Sequence, residues 1–249
     1  MMVIAIASQK GGVGKSATAV NVSAYLALKG KRVLLIDLDP QASATTHFGV
    51  SDTLENTTYE LLMEDQPLSK ITMQTEITGL DLAPSNKRLG RVEMQLGASK
   101  GVGRESLLKP KIRGNNNYDF IIIDTPPNLG FLTINAMVSA DTVIVPIPTE
   151  FYGIKGLSMI LDLAKAISED LNRNMKLKYL LTMHDRRTKM GKEVIENVRE
   201  LLGDDVFKTI IPRVVKLAEA PSYGKPICLI DPDSPGAHAY SQLANEVMT

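Results

Sequence analysis

The residues from Met2 to Ser16 read MVIAIASQKGGVGKS, and this stretch decides the fold. Met2 to Ala7 is a continuous apolar run, the pattern of a strand buried on both faces of a parallel sheet. A glycine-rich turn follows. From about Lys15 to Lys29, Ala19, Val22, Ala24, Leu26 and Ala27 fall on one stripe of a helix, and Gly30 stops it. Arg32 to Asp37 is a second apolar strand. Strand, glycine turn, helix, strand is a βαβ unit, whose crossover is right-handed.

The alternation continues to the end of the chain. Strands are predicted at Tyr118 to Asp124, Thr142 to Pro146, Leu177 to Met183 and Phe207 to Ile211. Helices are predicted at Leu129 to Ser139, Gly153 to Leu171, Gly191 to Leu202 and Gly236 to Val247. Between Val50 and Arg113 the pattern is less regular, with helices at Thr58 to Met63 and Asn86 to Leu96 and a short strand near Leu80 to Ala83. The expectation is one α/β domain over residues 1–249, a doubly wound, mostly parallel sheet with helices on both faces.

The turn carries chemistry. The standard phosphate loop is G-x-x-x-x-G-K-[ST]. Gly14, Lys15 and Ser16 supply its end, but Gln9 occupies the first glycine position. In its place stands Lys10-Gly11-Gly12-Val13-Gly14-Lys15-Ser16, two lysines bracketing three glycines. Glycines let backbone N–H groups converge on a phosphate, and the helix starting near Lys15 aims its positive end at the same point. Lys15 adds a full charge on the β- and γ-oxygens, and Ser16 is placed to ligate Mg²⁺.

Two strands end in carboxylates, at Asp37-Leu38-Asp39-Pro40-Gln41 and at Asp124-Thr125-Pro126-Pro127. Ligands of open α/β sheets bind at such C-terminal strand ends. Asp124 is expected to hold Mg²⁺, directly or through water, and Asp39 to share the metal site and position the attacking water. Asp37 reads equally as a third acidic group of the site or as a structural residue, a helix cap or a partner for a nearby lysine.

KGGVGKS resembles the deviant phosphate loop of the ParA/MinD ATPases. The resemblance runs through NVSAYLALKGKRVLLIDLDPQ, FIIIDTPPNLGFLTINAM, VIVPIPTEFYGIKGL, LLTMHDRRTK, IPRVVKLAEAPSYGKPI and SPGAHAYSQLANEV, nearly the whole chain. It is similar to the short chromosomal branch, which lacks the N-terminal helix-turn-helix of the longer plasmid type. The resemblance implies an ATP-bound homodimer in which Lys10 reaches the partner's phosphates, and slow hydrolysis tied to Asp39 and stimulated by a ParB-type protein. It also implies non-specific double-stranded DNA binding through Arg187 and Arg213, which Lys189 and Lys216 could join. Met183, Pro212 and Arg213 flank the adenine by the same resemblance, although Met183 fits the core as well. Where the family usually has threonine, asparagine and serine, this chain has Ala17, Val214 and Asn128. Ala17, beside the loop, withholds a hydroxyl that could touch the α-phosphate.

Composition narrows the field. Of 249 residues 44% are apolar, enough for a sizeable core, and the net charge is zero, so DNA contact would need a local basic patch. The run from Lys87 to Arg113 has eight Lys/Arg against two Glu. It reads as a solvated surface, or as a widening of a DNA face through Lys100, Arg104, Lys109, Lys111 and Arg113. The lone cysteine, Cys228, excludes a disulfide framework and a bridged iron–sulfur cluster and fits a reducing cytoplasm, while the resemblance implies association with the nucleoid. No apolar run is long enough to span a membrane. The alternatives are a MinD-like membrane-positioning ATPase and a small-molecule kinase. The first needs a basic amphipathic C-terminal helix, and SQLANEVMT carries no Lys or Arg. The second normally keeps the first loop glycine.

Overall fold

The computed structural model describes residues 1–98, 103–150, 157–171 and 175–249. The described elements are, in chain order, β1 (Met2–Ile6), α1 (Lys15–Leu28), β2 (Val33–Asp37), α2 (Ser43–Thr46), α3 (Thr58–Met63), α4 (Leu68–Ile71), β3 (Met73–Gln74), β4 (Leu80–Ala83), α5 (Gly90–Ala98) and α6 (Lys109–Ile112). There follow β5 (Phe120–Asp124), α7 (Phe131–Ser139), β6 (Thr142–Pro148), α8 (Leu157–Asp170), β7 (Lys176–His184), α9 (Lys189–Leu202), β8 (Val206–Pro212), α10 (Val215–Glu219), α11 (Ile227–Ile230) and α12 (Pro235–Val247).

Among the described residues eight strands form one sheet in the order β3-β4-β2-β5-β1-β6-β7-β8. All pairs are parallel except β3 with β4. The doubly wound, mostly parallel sheet expected from the sequence is therefore the observed fold. β1 is central, and the chain winds outward from it in both directions.

Strand side chains alternate between two buried layers. Val3, Ala5, Leu34, Ile36, Ile121 and Ile123 face the layer covered by α5, α7, α8 and α9. Ile4, Ile6, Val33, Leu35 and Ile122 face the layer covered by α1, α11 and α12. Because both faces are dry, these strands are apolar at every position rather than at alternate ones. Burying each Leu or Ile contributes about 1.5–3 kcal/mol.

Several boundaries moved. The helix expected from Gly153 is described from Leu157, and residues 153–156 lie outside the described residues. Asn86 is not helical: its side chain caps a 3₁₀ turn, Lys87–Leu89, that leads into α5. The two-residue strand β3 was not anticipated, because an antiparallel edge of two exposed residues leaves no periodic signal. As expected, α1 stops at Gly30, which adopts φ +80° and donates its N–H to the Ala27 carbonyl.

This topology brings the C-terminal ends of β1, β2, β5, β7 and β8 to one edge of the sheet.

Candidate functional site

The turn after β1 needs its glycines. Gly12 and Gly14 sit at φ +72° and +90°, where a Cβ is strained. Gly14 caps α1 without a side-chain hydrogen bond, and the first turn holds no acidic residue. The first-turn N–H groups are left for an anion, at the positive end of the helix. Val13 is buried, and its carbonyl accepts a hydrogen bond from Thr182 Oγ1 at 3.0 Å, tying the loop to β7. Lys15 is also buried, and its ammonium donates to the Lys10 carbonyl at 3.0 Å. Burial lowers the Lys15 pKa, opposed by the nearby charges of Asp124 and Asp39.

Three carboxylates meet this lysine. Asp37 and Asp124 are paired residues of β2 and β5, both fully buried. Asp37 is fully engaged: it accepts from the Asp39 N–H at 2.9 Å and from the N–H and hydroxyl of Thr45, each at 2.8 Å. It thus holds the Asp39 turn and the first turn of α2, which settles the capping reading. Asp124 has neither oxygen in a hydrogen bond of good geometry. Burial pushes its pKa well up, the Asp37 charge adds to this, and the facing Ser16 hydroxyl offsets part of it. Burial likewise raises Asp39, against the Gln41 N–H and the Lys15 charge. The Asp39 carbonyl accepts from the Ser85 hydroxyl at 2.8 Å, which fixes the turn from the side of β4. Three carboxylates crowd around one ammonium, and a buried carboxylate facing a serine hydroxyl is a donor set for a hard divalent cation.

Of these groups Lys15, Ser16 and Asp39 line a cleft of about 570 Å³, while Asp37 and Asp124 are fully buried behind it. Its phosphate end is lined by Gly11, Gly12, Gly14, Lys15, Ser16 and Ala17, with Asp39 beside them. Its other end is walled by Met183, Pro212, Arg213, Val214, Leu217 and Pro221, with Tyr240 beneath. Met183 lies on this wall at φ +55°, a left-handed conformation rare for a side chain of its size. The Lys10 side chain lines a small separate recess with Ser8, Val13 and the end of β6.

The basic residues cluster on the β7–β8 side. Arg187 and Lys189 follow β7, Arg213 follows β8, and the Arg213 N–H donates to the His184 carbonyl at 3.0 Å. Arg187 is held by Asp185 at 2.7 Å, Arg213 by Glu150 at 3.2 Å and Lys216 by Asp231 at 2.8 Å. The Arg187 guanidinium also pulls the Asp185 pKa far down. In the second basic run, Lys111 pairs with Asp65, Arg113 with Asp141 and Arg104 with Glu105, while Lys100 lies outside the described residues. Arg104 stacks over Phe131, and Arg113 also binds the Ser139 carbonyl. These three serve local structure.

A family model described as an AAA domain matches residues 1–177. The chain is 45% identical over 248 residues to the sporulation initiation inhibitor protein Soj of Bacillus subtilis, covering 98% of this chain and 97% of that one. It is 42% identical to the chromosome partitioning protein ParA of Caulobacter vibrioides, covering 100% of this chain and 94% of the relative. The chain belongs to the ParA/Soj family of partitioning ATPases.

Solved structures agree with this ParA/Soj assignment. A protein from Mycobacterium smegmatis described as cobyrinic acid a,c-diamide synthase, with bound ADP and magnesium, superposes with a TM-score of 0.86 at 33% identity, covering 99% of this chain and 94% of that one. A plasmid partition protein from Borrelia burgdorferi bound to AMPPNP gives 0.83 at 26% identity, covering 99% and 98%.

Some lining residues of this ParA/Soj chain were not anticipated. Leu217 sits in the short α10, Pro221 just after it, and His47 at the C-cap of α2. No local pattern marks them, because they reach the cleft only through the packing of distant segments.

Proposed function

We propose that the chain binds ATP with Mg²⁺ in this cleft, dimerises through its nucleotide face, binds DNA without sequence preference and is released when a partner stimulates hydrolysis. The observation that carries this reading is the fully buried Asp124 carboxylate, without a hydrogen bond of good geometry, facing the Ser16 hydroxyl and the Lys15 charge. Asp124 and Ser16, with Asp39, would hold Mg²⁺, which when bound neutralises charge on the phosphates.

The chain's own groups do the rest. The N–H groups from Gly11 to Ala17 cradle the phosphates, and Lys15 turns from the Lys10 carbonyl to their oxygens. Asp39, on a turn fixed by Asp37 and Ser85, orients the attacking water. Lys10 contacts the nucleotide of the second copy. The cleft wall carrying Met183 and Pro212 takes the adenine. Arg187, Arg213 and Lys216 exchange their acidic partners for DNA phosphates, and Lys189 joins them, a contact that is salt-dependent and blind to sequence. The stimulating protein would be of the ParB type, and DNA retention would place the protein on the nucleoid. Among the described residues no helix is long and apolar enough to cross a membrane.

The test is DNA retention by the purified protein with no nucleotide, ADP, ATP and a slowly hydrolysed ATP analogue, across a salt series. Retention only with ATP or its analogue, falling steeply with salt, is expected. ATP turnover without retention in any state keeps the ATPase and removes the DNA reading.

A further inference from the structure

His47 closes α2 and is 2% exposed. It lines the cleft, and its Nε2 is buried without a hydrogen-bond partner. Burial holds the ring neutral, its pKa pushed down to about 4, so it carries one N–H donor and one bare acceptor nitrogen. Buried polar atoms are nearly always answered, and an unanswered one on the wall of a ligand cleft points to a contact that the ligand makes.

Position along the cleft selects which part of the ligand. The phosphates belong at the Gly11 to Ser16 end. Two residues after His47, Gly49 packs directly on Gly224: a Cβ on Gly224 would fall 2.7 Å from Gly49 Cα. This closeness seats His47 beside the Pro221 to Gly224 segment, which extends the apolar wall of Leu217 and Pro221 away from the phosphate loop. That end suits a base and its sugar. Ala17 offers the cleft only a methyl group, and the next hydroxyl on α1, Thr18, is buried against Tyr240 at 3.3 Å. On the α2 side the cleft is lined by Ser43, Thr46 and His47, polar groups within the same cavity.

We propose that His47 hydrogen-bonds a ribose hydroxyl of the bound nucleotide, which makes it a residue that selects the ribonucleoside rather than the phosphates. This rests on the nucleotide reading above. A neutral imidazole can donate to or accept from a hydroxyl, and the contact needs no charge.

Calorimetry on the full chain with Mg²⁺ tests it, using ATP, 2′-deoxy-ATP, 3′-deoxy-ATP and inorganic tripolyphosphate against wild type, His47→Phe and His47→Gln. Wild type is expected to prefer ATP over at least one deoxy analogue by about 3- to 10-fold, the worth of one neutral hydrogen bond. His47→Phe should lose that factor for ATP, bind the deoxy analogue as wild type does and keep tripolyphosphate affinity. His47→Gln should retain part of the preference. The proposal is overturned if His47→Phe keeps the preference, or if it loses ATP and tripolyphosphate alike, which would mark a structural role. Wild-type protein that binds no ATP would bring down the nucleotide reading itself, whereas ATP binding indifferent to residue 47 removes only the ribose contact. Thermal melting of both variants identifies a folding defect, and His47→Gln then decides.

Discussion

Asp37 and Asp124 occupy paired positions at the ends of β2 and β5, equally buried, yet Asp37 accepts three hydrogen bonds and Asp124 none of good geometry. One carboxylate is spent on holding a turn. The other is buried beside Ser16 and Lys15 without such bonds, and that difference separates a structural carboxylate from the proposed metal ligand.

Asp124→Asn should therefore leave the nucleotide-free protein as stable as wild type or more so, because it removes a carboxylate whose charge burial and Asp37 disfavour. Its ATP affinity should lose its Mg²⁺ dependence. Melting curves with and without Mg²⁺·ATP check both halves. A large loss of stability without nucleotide would reassign Asp124 to the scaffold.

The same pair sets a pH dependence. Burial raises the Asp37 pKa to about 6 and Asp124 well above the ordinary carboxylate value. A carboxyl raised on folding takes up protons in the native state first, so stability falls as pH rises through the folded value. Nucleotide-free protein should melt higher at pH 5 than at pH 7, and Mg²⁺·ATP should shrink the difference. Melting temperatures at half-unit steps read this directly. An increase in stability from pH 5 to 7 would contradict it.

Lys15→Ala and Asp39→Ala should fail differently. Removing Lys15 deletes the charge on the phosphates, and ATP binding should drop below detection by calorimetry. Removing Asp39 should spare binding and lower turnover by at least 10²-fold, the ordinary contribution of a positioned base, with the protein retained on DNA. Unchanged turnover in Asp39→Ala would exclude it from hydrolysis.

Arg187 and Arg213 are exposed and paired with acids, an arrangement worth little to stability. Arg213→Glu and Arg187→Glu should each abolish ATP-dependent DNA retention at physiological salt while the melting temperature stays within a degree or two. Asp185→Asn should strengthen retention by releasing Arg187. DNA pull-down over a salt series measures all three, and weaker retention in Asp185→Asn would show the pair to be part of the DNA-binding form.

Gly224 sits at φ +63° with no room for a Cβ against Gly49. Gly224→Ala should cost about 1–3 kcal/mol of stability, from backbone strain and the displaced contact. Because the contact seats the α2 side of the cleft, ATP affinity should fall with it. Chemical denaturation and calorimetry on one preparation measure the two effects.

The residues near Met2 to Ser16 determined much by themselves. An apolar strand, three glycines, Lys15 and a helix stripe form a local sequence, and local sequence is enough to specify a βαβ unit and its phosphate turn. The same holds for Asp124 at the end of FIIID, since full burial makes a strand apolar at every position and makes its terminal carboxylate conspicuous. Tertiary structure decided what depends on neighbours remote in the chain. Asp37 and Asp124 look alike in sequence, and only the approach of Thr45 to one of them separates their roles. His47, Leu217 and Pro221 carry no periodic signal, and they enter the cleft because Gly49 meets Gly224 and the segment after β8 folds over the sheet edge. The basic residues from Arg104 to Arg113 read as a surface patch, and only folding brought Asp65, Asp141 and Phe131 beside them. Hydrophobic period and turn chemistry act over a few residues, whereas charge pairing, burial and cleft shape are set by contacts that the linear order does not reveal.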